Sequence, residues 1–407
     1  MKYKSLAVFL IAVSTSVICL AQTNQTAVVE DFKTTPTTQP GKQYPQVNSE
    51  GRVRTSISAP QALKVQIDIG AKKYDMIKDE KGVWTGESAP QDEGFHYYQL
   101  NIDGASVPDP GSLYFYGASR AGSGIEIPAK DQDFYALKDV PHGELSESYY
   151  FSKTSNSVRR VFIYTPPKYD KDSTRRYPVL YLQHGMGENE TGWGSQGRTG
   201  MIMDNLIAEG KSLPFIIVME NSSNQGAPRP ARPAGAPAPG APTGAPAPVP
   251  AVQRTGAPTA APPAGFRSMG AGQFERVLID DLISYIESNY RVIPDQAHRA
   301  MAGLSMGGMQ THSIVVANPD KFSYVGMFSS GTFLPTEIKD IDSFKKKVKV
   351  VFMSFGGREN GSVNIGPAAE EWNKVGIKGV SYISPLTAHE WQSWRRSLHE
   401  FAPLLFK

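Results

Sequence analysis

The chain has 407 residues, a formal net charge of +3 and one fifth charged residues, so it is long enough for two domains with a well-buried core. Its only triple-lysine run, Lys345-Lys346-Lys347, is too short for a nucleic-acid tract and reads as a solvated approach to a strand. The single cysteine, Cys19, lies in the first apolar run, so once that run is removed no thiol is left for a disulfide, a nucleophile or a metal site.

Met1-Lys2-Tyr3-Lys4, the apolar run Leu6 to Leu20 and then Ala21-Gln22 predict a cleaved signal peptide over residues 1–21. The run is too short to favour a membrane span, which places the mature chain in the periplasm or outside a bacterial cell. Residues 22–48, polar and rich in Thr, Gln and Pro, read as a linker. Over 49–141, short β-type runs are separated by turn residues. Leu63 to Ile69 alternates apolar and polar with period two, Val83-Trp84-Thr85-Gly86 follows, and His96 to Ile102 closes on Asp103-Gly104. These predict a small all-β sandwich.

Residues 142–407 change character. Val158 to Thr165 and Tyr177 to Leu182 read as strands, Gly200 to Glu209 as a helix and Phe215 to Met219 as a strand. Residues 226–265 form an Ala/Pro/Gly-rich low-complexity insertion that lacks the large apolar side chains needed to repay ordering entropy. It leaves the carboxyl end of a sheet strand, where α/β sites form, and reads as a flap, a tether or a neutral expansion. Phe274 to Asn289 then gives an amphipathic helix with Leu278, Leu282 and Ile286 on one face. The remaining alternation of strands and helices predicts a mainly parallel sheet covered by helices.

Gly303-Leu304-Ser305-Met306-Gly307 is a G-x-S-x-G pentapeptide between an apolar strand and a helix predicted over Met309 to Asn318. A strand-to-helix turn of that kind exposes a serine oxygen in front of a helix N-terminus. A serine nucleophile needs a base, an acid and oxyanion donors. Downstream of the motif helix stand His389, in the loop after the strand Val380 to Ser384, and His399, inside a closing helical pattern; the loop position makes His389 the base. Glu359 follows the strand Lys349 to Phe355 and is the choice for the acid, with Glu390, Asp340 and Asp342 as rivals. The strand into His184-Gly185-Met186-Gly187 ends in a glycine-containing turn that can aim the Met186 N–H at an oxyanion, beside the N–H of Met306. His184 itself reads as a brace for that loop. No H-E-x-x-H or similar ligand set is present, so no cofactor or metal is expected.

Tyr181-Leu182-Gln183-His184-Gly185, Gly303-Leu304-Ser305-Met306-Gly307-Gly308 and His389-Glu390-Trp391 with Trp394-Arg395 resemble the esterase D group. Within it they resemble carbohydrate esterase family one, the feruloyl, acetylxylan and enterochelin-esterase-like enzymes. The likeness runs from Glu144 to Lys407. It implies an α/β-hydrolase fold and a serine carboxylesterase acting on feruloylated or acetylated plant cell-wall polysaccharide. Acetylxylan, other small-acyl and siderophore esterases share the machinery, and a carbohydrate-binding protein that has lost its chemistry is the reading from another class. The family usually carries Asp where Glu359 stands. Trp193, after the oxyanion turn, would either flank an aromatic acyl group or pack in the core. Gly82-x-Trp84, Gly94-Phe95-His96-Tyr97-Tyr98 and Asp103-Gly104 resemble immunoglobulin-like early-set modules related to glycogen-binding domains.

Overall fold

A computed structural model describes residues 28–223 and 271–407. The predicted signal peptide, 1–21, and the low-complexity tract, 226–265, lie outside the described residues.

Two sheets make up the N-terminal part. One runs, in spatial order, β1 (Lys33–Thr34), β2 (Gln46–Val47), β3 (Val53–Ser58), β7 (Val83–Glu87) and β6 (Ile77–Lys78). The other runs β10 (Tyr114–Gly117), β11 (Arg120–Ile127), β8 (Gly94–Ile102), β4 (Val65–Ile69) and β5 (Lys72–Asp75), with β9 (Ala105–Val107) beside β8. Every pairing is antiparallel. The alternation of β4 puts Val65, Ile67 and Ile69 into a core with Val53 and Trp84 from the facing sheet and Tyr98, Leu100 and Ile125 beside them. Trp84 is therefore a core residue, its indole N–H satisfied by the Ala59 carbonyl.

Within the stretch expected as a linker, Lys33–Thr34 and Gln46–Val47 are short strands: β1 pairs with β2 and β2 with β3. Their order comes from polar bonds, which composition does not reveal. The Thr38 hydroxyl accepts from the Thr35 N–H and donates to the Pro45 carbonyl, and the Asn48 side chain accepts from the Arg52 N–H.

The large sheet has eight strands in the order β12 (Glu144–Ser152), β13 (Ser157–Thr165), β15 (Ile216–Glu220), β14 (Val179–Gln183), β16 (Arg299–Leu304), β17 (Tyr324–Phe328), β18 (Val350–Gly356) and β19 (Lys378–Ser384). The pairs β12–β13 and β13–β15 are antiparallel, and all later neighbours are parallel. Strands β14 to β18 are buried along their whole length. Helices cover both faces, as parallel sheets require. They are α1 (Thr199–Ala208), α2 (Ala271–Arg276), a π-helical segment (Val277–Leu282), α3 (Ile283–Asn289), α4 (Met306–Ala317), α5 (Ile341–Lys347), α6 (Ser362–Lys374) and α7 (Trp391–Phe401). Leu278, Leu282 and Ile286 form one buried stripe across the π-helical segment and α3. Trp193, Leu180, Ala302, Phe328 and Trp391 belong to a core on the opposite side of the sheet.

Register carries this order to the site. Gln183 lies opposite Gly303, Leu304 opposite Phe328, Phe328 opposite Ser354, and Gly356 opposite Ser384. The turn after β14, the turn after β16 and the loops after β17, β18 and β19 therefore leave one edge of the sheet side by side. That carboxyl edge is where open α/β sheets bind ligands.

Candidate active site

Ser305 stands between β16 and α4 at φ 49°, ψ −115°, a left-handed conformation that strains any residue with a Cβ. Surrounding contacts hold it there. Its N–H donates to the Phe328 carbonyl at 2.7 Å, and its carbonyl accepts from the Met309 N–H at 3.1 Å. Gly307 is required because a Cβ there would lie 2.5 Å from the His184 carbonyl oxygen and 2.8 Å from the Gln183 Cβ. The serine thus sits at the tip of a sharp elbow pressed against the end of β14.

His389 reaches it from the loop after β19. Its Nε2 lies 2.9 Å from the Ser305 Oγ, and its Nδ1 lies 2.7 Å from the Glu359 Oε2. The other carboxylate oxygen of Glu359 accepts from the Ser329 hydroxyl and the Gly356 N–H, both at 2.7 Å. Burial pushes the Glu359 carboxyl up, but the hydrogen bonds from His389, Ser329 and Gly356 outweigh it, and its pKa ends below the usual value. A charged Glu359 beside Nδ1 fixes the tautomer that leaves Nε2 free to accept the Ser305 proton. The Glu359 side chain is 11% exposed and that of His389 49%, so the line runs from a closed acid to an open base.

The rival carboxylates are occupied elsewhere. Glu390 accepts from the Ala388 N–H, Asp340 caps α5 by accepting from the Ser343 N–H, and Asp342 pairs with Lys345. His399, in α7, bonds to Glu400.

Gly185 to Glu188 forms a turn closed by the Glu188 N–H donating to the Gly185 carbonyl at 3.2 Å. Gly187, at φ +77°, takes the position that needs glycine in a type II turn. Met186 is the preceding central residue, its side chain out in solvent and 63% exposed. Met306 is the first residue of α4, where a backbone N–H has no intrahelical partner. A Cβ on Gly185 would lie 3.3 Å from the Ser305 Cβ, so the turn abuts the serine. His184 braces it: Nδ1 donates to the Gly185 carbonyl and Nε2 accepts from the Ser222 N–H. Burial lowers the His184 pKa, which keeps that ring neutral.

Trp193 is corrected. Expected as a candidate wall for an acyl group, it is 1% exposed, donates its indole N–H to the Gln183 carbonyl, and packs edge-on against Phe328 and Trp391. It is core, supporting β14 from beneath. Ser329 carries no motif of its own, and Trp394 stands in the sequence only as part of the Trp394-Arg395 string. Ser329 bonds to Glu359 and accepts the Trp394 indole N–H at 3.1 Å, while the Trp394 ring meets the His389 ring edge-on at 5.2 Å. The only signal for Ser329 is its position directly after an apolar strand, the place Ser305 takes after its own strand.

A hydroxyl, an imidazole and a carboxylate in one hydrogen-bonded line, at the carboxyl edge of a largely parallel sheet, define a serine hydrolase site on an α/β-hydrolase-type fold. The chain belongs to the esterase family described as "Putative esterase", whose model matches residues 152–244 and 259–399. An endo-1,4-beta-xylanase/feruloyl esterase from Xylanibacter ruminicola is 42% identical over 389 residues, covering 93% of this chain and 48% of that protein. Endo-1,4-beta-xylanase Y from Acetivibrio thermocellus is 21% identical over 282 residues, covering 62% of this chain and 22% of that one. The chain thus spans half or less of the curated relatives it matches. Among solved structures, a ferulic acid esterase from Anaeromyces mucronatus aligns at TM-score 0.51 and 19% identity, over 68% of this chain and 96% of that chain. The enterobactin esterase of Shigella flexneri aligns at TM-score 0.58 and 14% identity, over 87% and 92%. At these identities the solved structures establish the fold alone. Among the described residues, no helix is long and apolar enough to cross a membrane.

Proposed function

We propose that the chain is a secreted or periplasmic feruloyl esterase that releases hydroxycinnamates from arabinoxylan through an acyl-enzyme. The reading is carried by the line Ser305–His389–Glu359, with contacts of 2.9 and 2.7 Å. The name of the Xylanibacter ruminicola relative supports the choice of acyl group. His389 Nε2 takes the Ser305 proton as Oγ attacks the ester carbonyl, and Glu359 stabilises the imidazolium. The Met186 and Met306 N–H groups receive the negative charge on the carbonyl oxygen, each worth about 3 kcal/mol of barrier. The C–O bond to the sugar breaks as His389 returns the proton to the leaving alcohol. Water, deprotonated by His389, then releases the hydroxycinnamate and restores the serine.

The two N-terminal sheets are assigned to the immunoglobulin-like early-set class on the Gly82 to Gly104 motifs. Residues 1–21 are assigned as the export signal. Labelling by a fluorophosphonate, lost in Ser305→Ala, tests the nucleophile. Comparing turnover of methyl ferulate with that of acetylated xylan tests the acyl group, and a preference for acetylated xylan would replace the feruloyl assignment with the acetyl one.

A further inference from the structure

The N-terminal part of the chain is bonded to the turn after β14, to the loop after β18 and to α7, and the bonds are specific. The β10–β11 hairpin turns at Ala118-Ser119, both at positive φ, and its tip donates the Ser119 N–H to the Gly187 carbonyl at 2.8 Å. From β8, the Tyr97 hydroxyl donates to the Glu188 carboxylate, whose two oxygens each lie 2.9 Å away, and accepts from the Trp391 indole N–H at 3.1 Å and from the Gln196 amide. Gly187 and Glu188 are the last two residues of the turn that presents Met186. The same part of the chain also grips α7, which follows the base, and Arg358, which precedes the acid. Glu126 forms a two-pronged pair with the fully buried Arg395 of α7, at 2.7 and 3.1 Å, Asp131 bonds to Arg396 and Gln392, and Asp92 pairs with Arg358, next to Glu359. An aromatic path, Tyr97 to Trp391 to Trp394 to His389, connects the phenol to the imidazole.

A module that only delivered an esterase to its substrate would need a tether, not bonds to the oxyanion turn. Burying Glu126 with Arg395 and Tyr97 with Glu188 also costs desolvation, which such groups offset only when geometry is held closely. We propose that the N-terminal module is a working part of the esterase site, with Tyr97 and the Ala118-Ser119 hairpin tip as positioning elements that hold the Met186 N–H where the oxyanion forms. The inference rests on the reading of Met186 as an oxyanion donor. It gives a task in turnover to sheets whose sequence motifs resemble those of early-set modules, and it makes the phenol of Tyr97, on another sheet, a determinant of turnover. Because the N–H is needed only once charge has moved onto the carbonyl oxygen, loosening the turn lowers kcat and leaves ground-state binding alone.

The test is full-length Tyr97→Phe, assayed with methyl ferulate alongside wild type, with thermal midpoints and fluorophosphonate labelling in parallel. The expected result is a fall of about tenfold or more in kcat with KM within about twofold, and labelling of Ser305 slowed in step. A folded Tyr97→Phe with wild-type kcat overturns the inference. Should that variant fail to fold, Glu188→Ala cuts the same tie from the turn side and is expected to lose a similar factor, with Glu188→Gln restoring most of it. Wild-type kcat in folded Glu188→Ala overturns the inference equally. If wild type itself neither turns over esters nor labels at Ser305, the parent esterase reading falls, an outcome distinct from normal kcat in the variants.

Discussion

The two ends of the hydrogen-bonded line are built on opposite plans. Glu359 sits in a closed niche, gripped by Ser329, Gly356 and His389. Ser305 and His389 face solvent and are fixed by backbone: a strained elbow for one, a short loop between β19 and α7 for the other. The acid never touches substrate, so it can be enclosed and its charge secured by donors. On the proposed reading Ser305 and His389 must admit an ester and lose it again, and their order comes from the chain beneath them. Reach and rigidity are thus divided between the two ends.

The division is broken first at the open end. Ser305→Ala should abolish ester turnover, a loss of at least about ten-thousand-fold in kcat, with an unchanged circular dichroism spectrum. Next comes the closed end. Glu359→Gln keeps the shape but supplies no charge for the imidazolium, and kcat for methyl ferulate should fall about a thousand-fold to ten-thousand-fold. Glu359→Asp sharpens the comparison. One methylene shorter, it cannot reach both the Ser329–Gly356 donors and His389, so an intermediate loss of about tenfold to a hundredfold is expected. Ser329→Ala removes one donor from the carboxylate and one acceptor from Trp394, and a kcat reduced about tenfold is the expected reading, with the acid limb of the pH profile moved upward.

The smallest effects concern pH. Glu359 has a folded pKa below its ordinary value of 4.5, so its contribution to stability is present above that value and is lost as pH falls through the lowered one. Glu188 is the reverse case: burial, opposed by bonds from Tyr97 and Trp391, raises it to about 7. The folded protein then holds more protons than the unfolded chain between about 4.5 and 7, and stability falls as pH rises through that window. Glu220, raised to about 7 by burial against the pull of Arg159, acts in the same direction. Chemical denaturation of Glu188→Gln across pH 4.5 to 7 should therefore show a shallower decline than wild type; an equal slope would leave Glu188 out of the linkage.

What the sequence revealed follows from how each element earns its burial. Strands β14 to β18 are covered on both faces and read as unbroken apolar runs. The elbow announces itself through glycines that no larger residue can replace. In contrast β12, Glu144 to Ser152, lies at the edge with a mostly exposed face, and its alternating polar letters gave no expected strand. Strands β1 and β2 are ordered by threonine hydroxyls and one asparagine side chain, in a composition indistinguishable from a linker. Trp193 follows a glycine-rich turn, and such a tryptophan is written the same way whether it faces solvent or, as here, the core. Tyr97 and Glu188 are 91 residues apart, and nothing local to either names the other.

The backbone at Ser305 has one more consequence. A side chain held at φ 49° costs on the order of 1–3 kcal/mol, and alanine in its place would inherit that penalty, whereas glycine would shed it for a smaller loss of about 0.4–1 kcal/mol through the unfolded chain. Ser305→Gly should accordingly melt at a higher temperature than Ser305→Ala, two proteins equally unable to open an ester yet unequal in durability. Resistance to heat is what this fold surrenders to keep one hydroxyl poised.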